Sequence, residues 1–203
     1  STEIAFNDSS VDLDFRVETN GVTDAFLING GTDSVHIGTG VDFVTNTAGD
    51  NNVRIGVNAG NSIASGGNYN TVVGDEAGTA ISTGDVNTFV GYQSGDATTT
   101  SGNNVGVGYG SLTTNILSSK NVAVGNNALK THNLASAGDA LNVAVGHGAG
   151  EEITTGTNHT LIGGLAGDAI TTAANNTAVG SSALTAATTS HSNTAIGVQA
   201  LQG

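Results

Sequence analysis

The stretch Asn87-Thr88-Phe89-Val90-Gly91-Tyr92-Gln93-Ser94-Gly95 returns seventeen residues later as Asn104-Val105-Gly106-Val107-Gly108-Tyr109-Gly110-Ser111-Leu112. The two share a leading Asn, β-branched residues one and three places on, a Gly, and a small residue three places past that Gly. The same frame extends in both directions. Its glycines are Gly56, Gly74, Gly91, Gly108, Gly125, Gly146, Gly163, Gly180 and Gly197, at intervals of 18, 17, 17, 17, 21, 17, 17 and 17. A near-fixed period of this length marks a solenoid, in which each repeat is one coil stacked on the last. A weaker copy, Ser34-Val35-His36-Ile37-Gly38, puts the start of the array near residue 33.

Within each copy the pattern has period two. The flanking pairs, such as Val53/Ile55, Thr71/Val73, Val122/Val124 and Thr194/Ile196, are β-branched throughout. Such residues suit a pleated, half-buried surface, and alternation sets them on one face of a short strand. The residue between them ranges from Arg54 through Phe89 to Gly106, which predicts a less constrained opposite face. The repeat Gly supplies the positive φ and close approach of a tight corner. The small residues Ala59, Ala77, Ser94, Ser111, Ala128, Ala149, Ala166, Ala183 and Ala200 predict closely packed layers. A weaker apolar row, Ile63, Ile81, Ile153 and Ile170, predicts a second short strand per coil, with returns such as Ser82-Thr83-Gly84-Asp85.

The leading positions are Asn52, Asn70, Asn87, Asn104, Asn121, Asn142, Asn176 and Asn193, with His159 standing once in their place. Stacked Asn side chains can donate to one neighbour and accept from the other, which satisfies polar groups that are costly to bury alone. The expected fold is therefore all-β: a parallel β-roll or β-helix solenoid of seventeen-residue coils over residues 33–203, some ten coils in all.

Residues 1–32 do not fit the repeat. Asp12 to Glu18 alternates as a strand, Asn20-Gly21 is a strong hairpin turn, and Ala25-Phe26-Leu27-Ile28 reads as the return strand. This hairpin is expected to cap the solenoid or to join it to an upstream shaft. At the other end the last copy stops at Leu201-Gln202-Gly203, just past its own motif, so the array is expected to continue.

Composition narrows the function. Four basic against seventeen acidic residues give a net charge of −13, the wrong sign for nucleic acid or an anionic membrane. No apolar run approaches the ~20 residues of a membrane-spanning helix. Without cysteine, no disulfide framework or thiolate metal site can form. Each coil offers few apolar groups for seventeen ordered residues. Several chains, most plausibly three, are therefore expected to pack laterally; a monomeric β-helix is the alternative.

No catalytic constellation emerges, and no enzyme activity, cofactor or metal is expected. The histidines occupy different repeat positions, and Gly106-Val107-Gly108-Tyr109-Gly110 is explained by the repeat rather than by nucleotide binding. Asp42, Asp50, Asp75, Asp85, Asp96 and Asp139 fall in turns without a calcium-loop spacing and read as a solvated acidic face. The column after the repeat Gly varies freely and so is expected to be exposed. In it Tyr92 and Tyr109 lie one coil apart beside Asn126 and His147, a candidate sugar-binding strip. The competing reading is aromatic stacking that stiffens the rod. The long 21-residue interval holds extra residues within Thr131–Leu141, and its loop, with His132 and Asn133, is a second candidate receptor contact.

The copies Asn193-Thr194-Ala195-Ile196-Gly197-Val198-Gln199-Ala200-Leu201 and Asn176-Thr177-Ala178-Val179-Gly180-Ser181-Ser182-Ala183-Leu184 resemble the Asn-Thr-Ala-Ile-Gly-Tyr-Gln-Ala-Leu repeats of bacteriophage tail fibres. The repeat is also similar to the heads of trimeric autotransporter adhesins, whose coils are shorter. The resemblance runs from about Asp12 to the end. It implies a trimeric rod on a virion, outside the cell, serving structure and host attachment. Its partners would be two further copies of itself, other virion tail proteins, and a host cell-surface glycan or protein. It leaves open an adhesin head on a bacterial surface, and a polysaccharide-degrading tailspike, whose acidic catalytic pair the repeat does not suggest.

Overall fold

The computed structural model describes residues 48–186 and 188–202, and the backbone of three strands ahead of them. These three, β1 (Phe15–Thr19), β2 (Val22–Asn29) and β3 (Ser34–His36), form an antiparallel sheet in the order β1-β2-β3. Thr19 pairs with Val22; Asn20 and Gly21, expected as the hairpin turn, lie outside the described residues. β3 pairs with β2 through Leu27↔His36 and Ile28↔Val35. Ser34–His36 of the weaker copy therefore belongs to this antiparallel sheet and not to the parallel one; Ile37 and Gly38 lie outside the described residues. The chain divides into compact units Ser1–Val44 and Thr45–Gly203, later than the expected boundary after residue 32.

The second unit is a parallel β-solenoid. Its strands are β4 (Val53–Ile55), β5 (Thr71–Val73), β6 (Thr88–Val90), β7 (Val105–Val107), β9 (Val122–Val124), β11 (Val143–Val145), β12 (Thr160–Ile162), β13 (Thr177–Val179) and β14 (Thr194–Ile196). They form one nine-stranded sheet in chain order, so that eight complete turns separate the first from the last. Register is kept from coil to coil, as in Thr88↔Val105, Phe89↔Gly106 and Val90↔Val107. The extra residues of the long interval make a local pair between β8 (Ser118–Ser119) and β10 (Gly138–Asp139).

Three strand residues cannot close a coil, so the remainder turns sharply. One coil holds Val86, Gly91, Gln93 and Gly95 at φ of 58°, 131°, 56° and 60°. For a β-branched residue such as Val86 this is an uncommon backbone, and neighbouring coils hold it there. Val86 N–H donates to Asn68 O at 2.9 Å, and Leu112 N–H to Ala128 O at 3.1 Å. At the repeat Gly the constraint is also steric. A Cβ on Gly91 would sit 2.7 Å from the carbonyl oxygen of Gly108.

The core reverses the expected strand orientation. Val72, Phe89, Ala123, Ala144, Leu161 and Ala178, the variable middle residues, are fully buried. The constant β-branched residues beside them face outward, half-exposed or exposed. In most coils the variability follows from exchange of volume within the coil; Ala144 is paired with Gly150 instead, where Leu161 and Leu129 of the neighbouring coils fill the space. Phe89 and Leu161 fill the space over Gly95 and Gly167, where a Cβ would lie 2.5 and 2.8 Å from their side chains. Where the middle residue shrinks to Gly106, Ala123 or Ala178, the Gly is replaced by a fully buried Leu112, Leu129 or Leu184. Ile63, Ile81, Ile153 and Ile170 likewise pack over Gly60, Gly78, Gly150 and Gly167. A close-packed interior tolerates such trades only when total volume is kept.

That isoleucine row is core, as expected, but it is not a strand. Single backbone hydrogen bonds carry that side of the coil, among them Ala64 N–H to Ser82 O and Ser82 N–H to Thr99 O, both 2.9 Å.

Phe89→Ala should cost about 3–5 kcal/mol. Adding Gly95→Leu to that variant should recover part of the loss, because Ala123 with Leu129 is the same pairing. Gly95→Leu alone should destabilise by at least about 1–3 kcal/mol through overpacking against Phe89. Denaturant unfolding of the double-mutant cycle measures the coupling.

Candidate functional site: a polar ladder inside, an aromatic column outside

The leading Asn residues lie on the inner side of the strand entry, fully or almost fully buried from Asn52 to Asn142. In Asn52, Asn70, Asn87, Asn104 and Asn176 the Oδ1 accepts twice from the next coil, from the backbone N–H and from Nδ2. Asn70 Oδ1 does so from Asn87 at 2.9 and 3.1 Å, and Asn87 Oδ1 from Asn104 at 3.1 and 3.2 Å. The second Nδ2 hydrogen ties the coil to its own return turn, as from Asn104 Nδ2 to Ser118 O at 3.1 Å. The expected ladder thus runs from Asn52 to Asn121 and resumes from Asn176 to Asn193.

Between them it changes character. Asn142 N–H still donates to Asn121 Oδ1, at 3.3 Å, but Asn142 Nδ2 turns to Gly156 O at 2.9 Å and to His132 Nε2 at 3.4 Å. His159 then imitates an Asn. Its Nε2 donates to Ala173 O at 2.9 Å and its Nδ1 accepts from Asn176 N–H at 3.2 Å. The sequence marks His159 as a break in the column; the structure makes it a substitute rung.

His132 was expected in an exposed loop. It is fully buried, because it stands seven residues after its repeat Gly, the core position that Ile63 and Ile81 fill in other coils. Burial pushes its pKa down to about 4 and lowers that of His159 as well. Asn133 is a cap rather than a free contact: its Oδ1 accepts from Ile116 N–H and Leu117 N–H at 3.2 and 3.1 Å. The exposed part of the insertion is 135–139, with Asp139 paired to Lys120 at 2.6 Å.

A second, outer ladder went unforeseen. Asp50 N–H donates to Asn68 Oδ1 at 2.8 Å, and Asn68 N–H to Asp85 Oδ1 at 2.6 Å. The signal was an acceptor side chain two residues before several leading Asn residues, Asp50, Asn68, Asp85, Ser119 and His191, interrupted at Gly102, Ala140 and Ala174. Asn115 caps its own turn, its side chain accepting from Ser118 N–H and donating to Ser118 O.

The column after the repeat Gly faces solvent, with Tyr92, Tyr109, Asn126 and His147 all exposed. The tyrosine rings stack with centroids 5.8 Å apart and planes at 21°. Each ring covers one face of the other, so a sugar would find only the two outer faces. The charge of Glu76 raises the Tyr92 pKa, and Glu76 also accepts from Gln93 Nε2 at 2.8 Å. Burial raises the pKa of Asp96 and Asp168. Among the described residues, no three or more of His, Cys, Asp or Glu gather where a metal could be held.

By its geometry the array is a parallel β-solenoid with side chains in columns. Compared with known proteins, the chain matches no family model, no curated protein and no solved structure.

Asn104→Ala would leave Asn87 Oδ1, Asn121 N–H and Ser118 O short of partners in a dry interior and should cost at least about 2 kcal/mol. Tyr109→Ala, on the surface, should cost about 1 kcal/mol or less. Chemical denaturation of the two variants reads the difference; equal losses would deny the ladder its role.

Proposed function

We propose that the chain is a rigid segment of a homotrimeric attachment fibre, a virion tail fibre in the resemblance its repeats carry, and not an enzyme. Three copies pack through the outward face of the nine-stranded sheet. The observation that carries this is the composition of that face: paired Val, Ile and Thr residues on every strand, without a charge among them, in a chain of net charge −13. Parallel sheets are ordinarily covered on both faces. Here the coil covers one face only. A second and third copy present the same rows at the same spacing, and they meet where like charges are absent.

Such a rod supplies reach and stiffness. Its receptor contacts fall in the exposed column of Tyr92, Tyr109, Asn126 and His147 and at the tip 135–139, where weak contacts repeated on three chains add through avidity.

Light scattering on the purified chain should return three times the chain mass of 19.9 kDa. Val107→Lys with Val124→Lys should return the single-chain mass with an unchanged β-rich circular dichroism spectrum. A stable wild-type monomer would refute the assembly.

A further inference from the structure

We propose that the coils between Asn121 and Asn176 form an acid-released hinge in the rod, set by two histidines that hold the ladder only while uncharged. In three successive intervals the amide-to-amide bond of the ladder is missing: Asn121 to Asn142 keeps the backbone N–H bond and a long contact of Asn142 Nδ2 with His132 Nε2, while Asn142 to His159 and His159 to Asn176 keep the backbone N–H bond alone. The intervals before and after keep both bonds. The ladder is therefore thinnest in this section, although Thr131 and Lys130 also tie the first of its coils to Glu151, and a histidine stands at each end of it.

The geometry fixes where a proton would go. Asn142 Nδ2 is oriented by its bond to Gly156 O, and Asn142 Oδ1 accepts from His159 N–H at 3.0 Å. Nδ2 thus presents a hydrogen to His132 Nε2, which must accept. The neutral ring carries its proton on Nδ1, a buried nitrogen with no hydrogen-bond partner. In His159 the roles are exchanged: Nε2 donates to Ala173 O, and Nδ1 accepts from Asn176 N–H. A second proton on either ring would set N–H against N–H, at 3.4 Å in one case and 3.2 Å in the other.

Burial outweighs what compensation there is, backbone contact with Thr154 at His132 and with Ala173 at His159. The titratable groups that act on these rings are other histidines, His159 on His132 and His191 on His159. His191 is exposed, and its Nδ1 accepts from Ala174 N–H at 3.0 Å. The charged residues of the adjoining turns, Lys120 with Asp139 and Lys130 with Glu151, pair with each other. Glu152 and Asp168 are joined through their backbones at 3.2 Å.

Both folded pKa values lie below that of an unfolded histidine, so the open chain binds protons that the closed coil refuses. Closure is fully stable above about pH 6.5 and weakens as pH falls from there toward about 4, where His132 titrates. Opening parts two lengths of continuous ladder without dissolving either. It does not depend on the attachment reading, since it needs only the coil interior.

Amide hydrogen exchange by mass spectrometry on the full chain tests it, at pH 7.5 and pH 5.0 after correction for intrinsic exchange. Protection over 140–176 should fall roughly tenfold or more while that over 70–121 holds. His159→Asn, which restores the column's own residue, should reduce the acid response, and His159→Asn with His132→Ile should abolish it. Uniform loss along the array, or an unchanged response in the double variant, would overturn the proposal. Both variants keep residues that other coils use at these positions. If either failed to fold at pH 7.5, the column equivalence behind the proposal would be wrong.

Discussion

One coil's backbone passes so close to the next at the repeat glycine that no side chain fits between them. At Gly74 and at Gly91 a Cβ would fall 2.6 and 2.7 Å from the following glycine's carbonyl oxygen, with φ at 133° and 131°. Both demands exclude any other residue. Once this corner is set, the strand before it and the turn after it recur in place, and columns follow. The Asn ladder then holds register: an Asn one place out of step would bury an amide without its partners.

The parts of the fold legible in the sequence are those where a position has one chemical solution. The glycine corner, the buried Ala or Ser and the Asn column each answer to a single neighbour, the same group one coil away. The inward face answers to several. Phe89 with Gly95, and Gly106 with Leu112, are two solutions to one volume, and the sum is shared across positions six residues apart. Read singly, the column looks unconstrained. The same blindness hid His132, whose column holds Ile63, Ile81 and Asn115 as well. Ser34–Gly38 misled for another reason: a three-residue strand, Ser34–His36, carries too little pattern to tell a coil from an antiparallel partner.

The candidate site was less legible than the fold. The exposed column was readable because its residues vary in size, charge and polarity together, which no interior permits. Stacking of Tyr92 on Tyr109 follows from equal positions in adjacent coils. What the strip binds does not follow, since a column states spacing and not chemistry. The insertion was correctly placed as the array's irregular point, yet its side chains were not. His132 and Asn133 precede the excursion and still belong to the coil, one in its core and one capping the turn above it.

The reversal of the strand faces bears most on function. Residues that hold their type from coil to coil are ordinarily explained by the core, and here the core tolerates Phe, Gly, Ala and Leu in turn. The β-branched pairs hold their type while facing out. Strand propensity alone would accept Tyr, Phe or an exposed charge at such positions. Uniform size, branching and lack of charge along the whole sheet are what a second surface of equal regularity would require. A flat stripe of this kind leaves no room for a bulky or charged step at any coil, and three like rods packed along it would meet the same limit at every level. On the proposed assembly, the constraint on the outside of the sheet would be an interchain counterpart of the one that shaped its glycines: close approach, repeated at each turn.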